Sequence, residues 1–218
     1  MVRGSKMEVN KFFQENGYFY IPNLILDPEA LKCEPPHDQN GKRMVGILRN
    51  KNGQLVLGED QDQVDGAFAR YNFPLYHDAH NIIMEALEMH LGIDLLPTYY
   101  FDRFYYEGQK LDKHTDRPAC EISVSIQVGS NSDKPWDFWF DTPNGKKSVA
   151  MNDGDGVAYK GIDIPHWRDP LKSRHSKFKK WWYNINSKQD DTYHHQIFFH
   201  YVDAQGDYVH HTYDRMNK

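Results

Sequence analysis

The residues of this chain best suited to chemistry lie in Tyr105-Tyr106-Glu107-Gly108-Gln109-Lys110-Leu111-Asp112-Lys113-His114-Thr115-Asp116-Arg117-Pro118. His114 and Asp116 are two apart. Side chains alternate along a strand, so on a strand both would project from one face and could close on a single metal ion. His166, within Gly161-Ile162-Asp163-Ile164-Pro165-His166-Trp167-Arg168, offers a second imidazole from another strand-like stretch. Two imidazoles and one carboxylate on one side of a metal form a facial set that suits Fe(II) and leaves the remaining positions open. Open positions make such a metal reactive. No nucleophilic triad stands out beside this set.

The elements that must position these residues fall into a helical start and a strand-rich remainder. Val9, Phe12 and Phe13 have helical spacing over 8–16, with Gly17 as a stop, and Tyr18 to Ile25 reads as a strand that Pro22 assigns to an edge. Between Pro28 and Gly66 only a hairpin stands out, Met44–Leu48 returning as Gln54–Leu57 across Asn52-Gly53; it reads equally as a flap over a site or as a surface hairpin. His77 to Leu91 is an amphipathic helix with Ile82, Ile83, Ala86, Leu87 and Leu91 on one side, closed by Gly92. From Pro97 the pattern predicts strands over 98–106, 111–116, 121–128, 136–140, 148–151, 156–159, 165–168 and 195–202. Such short strands, punctuated by Gly and Asn turns, predict a mainly β antiparallel sandwich or jelly roll with supporting N-terminal helices. In Glu121–Val128, Ile122, Val124, Ile126 and Val128 share one face, and Glu121, Ser123, Ser125 and Gln127 the other. That polar row lines a wet cavity if both faces are covered, and faces water if they are not.

At 218 residues with 14% aromatics, the chain is expected to form one packed domain over 7–218, with residues 1–6 (MVRGSK) read as a cloning remnant. A formal charge of −5 argues against wholesale binding to nucleic acid or anionic membranes. Two cysteines, Cys33 and Cys120, are too few for a disulfide framework and fit a reducing compartment. With no membrane-length apolar run and no signal-peptide core, a soluble cytoplasmic protein is expected.

Several strings resemble a known family. Pro97-Thr98-Tyr99-Tyr100, Arg103-Phe104-Tyr105, Gly108-Gln109, His114-Thr115-Asp116-Arg117-Pro118 and Cys120-Glu121-Ile122-Ser123 are similar to the prolyl-4-hydroxylase-like branch of the Fe(II)/2-oxoglutarate dioxygenases. So are Gly154-Asp155-Gly156-Val157-Ala158-Tyr159-Lys160-Gly161, His166-Trp167-Arg168 and Phe199-His200-Tyr201-Val202-Asp203. The resemblance covers roughly 97–203. It implies a double-stranded β-helix with 7–96 as helical and hairpin support, 97–203 as the jelly-roll core and 204–218 as a tail. It implies Fe(II) on His114, Asp116 and His166, with 2-oxoglutarate and O2 as co-substrates. Tyr105 would hydrogen-bond the 2-oxoglutarate, joined by Ser125 and Gln127 from the polar row. Many relatives carry a Lys or Arg about ten residues beyond the second histidine, where this chain has Ser176. Arg168 takes the anchoring role instead, two residues from His166 and with a planar fork that matches a carboxylate; Lys172, Arg174 and Lys177 are alternatives. The implied reaction couples oxidative decarboxylation of 2-oxoglutarate to hydroxylation of an aliphatic C–H in a small molecule, an amino acid or a peptidyl proline. Asp116 fills the position a halide would need, which disfavours halogenation.

Other readings compete residue by residue. His194-His195 and His210-His211 are adjacent pairs whose members point apart on a strand, so they read as structural or solvated. His200 reads as a hydrogen-bond partner behind the ligands, on a strand expected beside that of His166, or as a core histidine. Arg117 reads as a substrate contact or a turn residue, Cys120 as an apolar filler, and Trp167 as core. A catalytically silent jelly roll that binds a metal and a small acid is the alternative of a different class. The basic, aromatic run Lys172–Trp182 raises a nucleic-acid demethylase, opposed by the acidic total charge and by Asp190-Asp191.

Overall fold

The computed structural model describes residues 6–51, 54–58, 63–185 and 190–214. Most of the expected remnant, the Asn52-Gly53 turn and the end of the expected tail lie outside the described residues. Helix α1 (Lys6–Asn16) leads into β1 (Tyr18–Ile21), which stops one residue before Pro22. The expected hairpin is β2 (Gly46–Lys51) with β3 (Gln54–Gly58). β4 (Phe68–Tyr71) had no sequence signal; it runs parallel to β2, an order that only the tertiary fold sets. Helix α2 (His77–Leu91) has the expected bounds and ends where Gly92 takes a φ of 71°, a left-handed cap that costs glycine little.

The remaining strands are β5 (Leu95–Tyr106), β6 (Leu111–His114), β7 (Ile122–Ser130), β8 (Phe138–Thr142), β9 (Gly145–Val149), β10 (Gly156–Lys160), β11 (His166–Arg168) and β12 (Tyr193–Asp203). Between the last two lies α3 (Lys177–Ile185), where the sequence offered only a basic connection. Two sheets form a jelly roll: β1-β10-β7-β12-β5-β4-β2-β3 and β6-β11-β8-β9. β1 is at an edge, where Pro22 costs no ladder bond. The N-terminal segment therefore supplies four strands of the large sheet as well as its helical brace.

Alternation decides what each face of the large sheet meets. Ile122, Val124, Ile126 and Val128 pack with Phe13, Ile83, Leu87 and Leu91 of the helices, burying one face. The opposite face turns Tyr99, Phe101, Tyr105, Val157, Tyr159 and Phe198 onto Phe138 and Phe140 of the small sheet. Both faces are covered, so the polar row of β7 is interior: Ser123, Ser125 and Gln127 are at most 2% exposed. Each fully buried aromatic contributes roughly 1.5–3 kcal/mol, which makes the space between the sheets the main source of rigidity around the site. A buried ionic network locks β4, β5 and β12 to the start of α2. Asp102 accepts from Arg70 Nε at 3.0 Å, from the Tyr76 hydroxyl at 2.9 Å and from His195 Nε2 at 2.7 Å. His195 also stacks on Phe104 at 4.1 Å. No helix among the described residues is long and apolar enough to cross a membrane.

Candidate metal centre

His114 ends β6, His166 opens β11, and the two are partners across that antiparallel pair with ring centres 4.4 Å apart. Asp116 is not on the strand, which corrects the alternation argument: β6 stops at His114. Pro118 restricts Arg117 to an extended conformation (φ −77°, ψ 162°) and opens a short 3-10 turn. The carboxylate is presented instead by a loop contact, in which Asp116 N donates to Gly161 O at 2.8 Å.

The three side chains converge. Asp116 Oδ1 lies 3.4 Å from His114 Nε2 and 3.6 Å from His166 Nε2. Neighbouring ligands held at ~2.1 Å from one ion stand roughly 3 Å apart, so a metal needs only a small tightening. Both tautomers suit one: His114 Nδ1–H donates to Asp112 O at 2.8 Å and His166 Nδ1–H to Ile164 O at 2.9 Å, which turns both Nε2 lone pairs toward Asp116. The Ser123 hydroxyl holds the other oxygen, Oδ2, at 3.2 Å, and His200 Nδ1 is 2.9 Å from Ser123 Oγ. Burial pushes the Asp116 carboxyl up, but contact with the two imidazoles outweighs it and holds the group well below the usual carboxylate range. His114 feels the reverse: burial pulls it down and Asp116 more than restores it, leaving it raised.

Gly161 packs against this carboxylate. A Cβ there would come within 2.2 Å of Cys120 O and 2.6 Å of Asp116 Oδ2. Gly161→Ala is expected to lower the melting temperature by about 2–12 °C, from an overpacking cost of roughly 1–3 kcal/mol, and to weaken metal uptake. Melting and metal titration matching the parent would show that the loop yields freely.

A cavity of about 620 Å³ opens at the three side chains. Ile47 and Arg49 of the hairpin line it, and β2 is held in the large sheet by its pairing with β4. Tyr71, Tyr99, Phe101 and Arg103 line it together with Phe198 and His200 of the neighbouring strand β12. Arg103 was missed from the sequence although it is two residues from Tyr105 and so on the same face. Its Nη1 donates to the Tyr105 hydroxyl at 3.1 Å, and Tyr105 is fully buried and not among the residues that line the cavity.

Arg168 sits behind the wall, 1% exposed, between the rings of Trp136 and Phe138 at 4.6 and 4.5 Å, with Nη1 donating to Trp136 O at 2.8 Å. Its Nε and Nη2 are buried without partners, as is Ser125 Oγ. Burial pulls this guanidinium down to about 10. Unpartnered buried donors on a cation are costly, and an anion is what would satisfy them. Gln127 is turned away from the metal cavity, its Nε2 donating to Gly129 O at 2.8 Å and its Oε1 accepting from Gln196 at 3.1 Å. Of the alternative anchors, Lys172 is exposed, Arg174 pairs with Asp191 at 2.6 Å, and the Lys177 side chain lies outside the described residues.

The strand of His200 is not beside that of His166: β12 runs between β7 and β5 in the large sheet, and β11 between β6 and β8. His200 is linked to Asp116 through Ser123. Arg117 is in the chamber wall and also 2.5 Å from Asp214, and Cys120 is in the wall with Sγ 3.2 Å from the Tyr99 hydroxyl. Trp167 lies on the outer face of the small sheet, half-buried and stacked on Trp139 at 6.0 Å, rather than in the core.

No protein-family profile matches the sequence, and no curated protein matches it at a significant level. Solved structures do match in fold. A prolyl-4-hydroxylase from Pseudomonas putida aligns at 12% identity over 92% of this chain and 100% of its own, with a TM-score of 0.56. An oxidoreductase of the 2OG-Fe(II) oxygenase family from Burkholderia pseudomallei aligns at 12% identity over 94% of each chain, TM-score 0.59. HygX from Streptomyces hygroscopicus, with nickel and 2-oxoglutarate bound, aligns at 8% identity over 94% of this chain and 88% of its own, TM-score 0.57.

Proposed function

We propose that this chain is an Fe(II)- and 2-oxoglutarate-dependent oxygenase that hydroxylates an aliphatic C–H of a small molecule, an amino acid or a peptidyl proline. The observation that carries this reading is the convergence of His114 Nε2, His166 Nε2 and Asp116 Oδ1 at the floor of a chamber, with both Nδ1 atoms already spent on backbone carbonyls. The fold shared with the Pseudomonas putida prolyl-4-hydroxylase and with nickel- and 2-oxoglutarate-bound HygX supports it.

Bound iron and 2-oxoglutarate would supply the chemistry, in which dioxygen and 2-oxoglutarate yield succinate and carbon dioxide while one oxygen atom enters the substrate C–H bond. The chain's tasks are to hold, orient and shield. His114, Asp116 and His166 present three donors from one side and leave the chamber side open. Ser123 keeps Asp116 Oδ2 turned back so that Oδ1 faces forward. Arg168, helped by Ser125, takes the far carboxylate of 2-oxoglutarate on donors that otherwise have no partner. The aromatic walls exclude water from the reacting C–H.

Anaerobic addition of Fe(II) and 2-oxoglutarate is expected to give a weak visible charge-transfer band, and oxygen is then expected to release succinate. Absence of both would sink the proposal, and a band without succinate would leave a silent binding module. Arg168→Gln is expected to raise the 2-oxoglutarate requirement ten-fold or more, matching the roughly 1.5–3 kcal/mol of a charged hydrogen bond. An unchanged requirement would hand the role to Arg103.

A further inference from the structure

Helix α3 is built inside out. Its apolar residues Phe178, Trp181, Trp182 and Ile185 recur at i, i+3, i+4 and i+7, the spacing of one helix face. A helix of a folded domain turns such a face to the core, yet these four are 73, 56, 42 and 59% exposed. The opposite side is the one tied down. Lys180 donates to Glu107 in the β5–β6 turn, and the half-buried Tyr183 meets the His175 ring edge-on at 5.2 Å. Turning the stripe inward would break both contacts.

The charges around it decide what this face meets. From Lys172 to Ile185 the chain carries five basic residues and no acidic one, against a total of −5. Arg174 is paired with Asp191 and Lys180 with Glu107, but Lys172 and Lys179 are exposed with no carboxylate partner among the described residues. Helical spacing puts positions 177 and 179, both lysine, along the two edges of the stripe. Apolar rings bordered by lysines, two of the rings tryptophan, are the composition of a helix that lies in the interface of a lipid bilayer. The negative charge of the rest of the chain is screened beyond about 8–10 Å and does not oppose a local contact. Other occupants fit less well. With ~150–250 Å² for each aromatic, the stripe exposes on the order of 400–500 Å², about half of what one partner buries in a stable protein interface. Unpaired bases need separate ring faces to stack on, whereas Phe178 and Trp181 lean on each other at 5.8 Å and 33°, and Ile185 has no ring.

We propose that α3 seats this protein on an anionic lipid bilayer. Phe178, Trp181, Trp182 and Ile185 enter the boundary between headgroups and acyl chains, Lys179 at the edge meets lipid phosphates, and Lys172 adds to the attraction. The helix lies along the surface and does not cross it, having nine residues where a span needs about 20. The contact is independent of the metal centre, since none of these residues lines the chamber.

The test uses the full chain with sucrose-loaded vesicles of phosphatidylcholine alone and of phosphatidylcholine with about one-third phosphatidylserine, read by co-sedimentation and tryptophan emission. The charged vesicles are expected to bind about ten-fold or more tighter than the neutral ones at low salt, with a blue shift of the emission, and the preference should shrink as salt rises. Trp181→Ala and Phe178→Ala are each expected to weaken binding to the charged vesicles about five-fold or more. Both should leave the melting temperature and any succinate release at the parent level, because the two side chains are exposed and away from the chamber. Lys179→Gln should lower only the preference for charged vesicles, by about five-fold. No sedimentation with either vesicle, binding that survives both aromatic substitutions, or tighter binding to a single-stranded oligonucleotide than to charged vesicles would overturn the proposal. So would a dimer in analytical ultracentrifugation that either aromatic substitution dissolves, which would give the stripe to a second copy.

Discussion

Replacing His166 by alanine is expected to weaken iron binding about 100-fold or more and to bring succinate release below detection. Apparent binding free energies of roughly 10–16 kcal/mol for four-ligand metal sites correspond to about 3 kcal/mol per ligand, or ~10²-fold in affinity. The loss in turnover should be larger still, because a two-donor site no longer fixes which positions stay open. His166 is 1% exposed and packed against Tyr159 at 4.7 Å, so alanine leaves a hole as well as a missing donor. Asp116→Asn separates the two effects. It keeps the shape and the Ser123 contact but removes the charge, and it should fall with His166→Ala in metal titration while melting close to the parent. His210→Ala, at an exposed position outside the chamber, should match the parent throughout. Succinate release retained by either ligand variant would overturn the assignment.

The cluster of His114, Asp116 and His166 was legible because its spacing is local. A histidine two residues before an aspartate and a second histidine after a Gly-Asp turn survive errors in strand bounds, and the three side chains converge even though Asp116 lies off its strand. The polar row of β7 was legible for a related reason: Ser123, Ser125 and Gln127 alternate with Ile122, Val124 and Ile126, and only a covered sheet can use both sets. What stayed hidden depends on pairing between distant strands. β4 is four residues long, and its parallel partner β2 is separated from it by the whole hairpin. His195 read only as one of two adjacent histidines, and its contact with Asp102 at 2.7 Å exists only once β5 and β12 pair. His200 was placed beside the wrong strand for the same reason, since order within a sheet is fixed by long-range packing. Arg103 is different: its period-two relation to Tyr105 was available in the sequence, and the missing fact was that β5 turns that face inward.

Acid is expected to destabilise the metal-free protein far above the pH at which its carboxylates protonate. His80 and His194 are both buried, at 1% and 5% exposure. Burial pushes His80 down to about 4, against a smaller upward pull from the His200 carbonyl to which its Nε2–H donates at 3.2 Å. His194 is pushed down to about 3 by burial and then by the Arg168 charge. A histidine whose folded pKa is depressed is held neutral by the fold. Its contribution is fully present above the unfolded value near 6.5 and is lost as pH falls toward the folded value. At pH 5 each of the two should have cost about 2 kcal/mol, roughly 4 together, against a total stability of ~5–15 kcal/mol. His114 opposes this, since its raised pKa gives stability at low pH that fades as pH rises, but it is one group against several, because burial also lowers His195 and His200. Asp102 and Asp116, both held below the usual range, add a second loss only at still lower pH. Urea unfolding at pH 8 and pH 5 measures the difference directly. His80→Gln should flatten the dependence by about 2 kcal/mol, its own share, while lowering stability at pH 8, because the amide still reaches the carbonyl but fills the site less well. A stability unchanged between the two pH values would mean that neither imidazole is held neutral, and that the packing of α2 and β12 around them is looser than described.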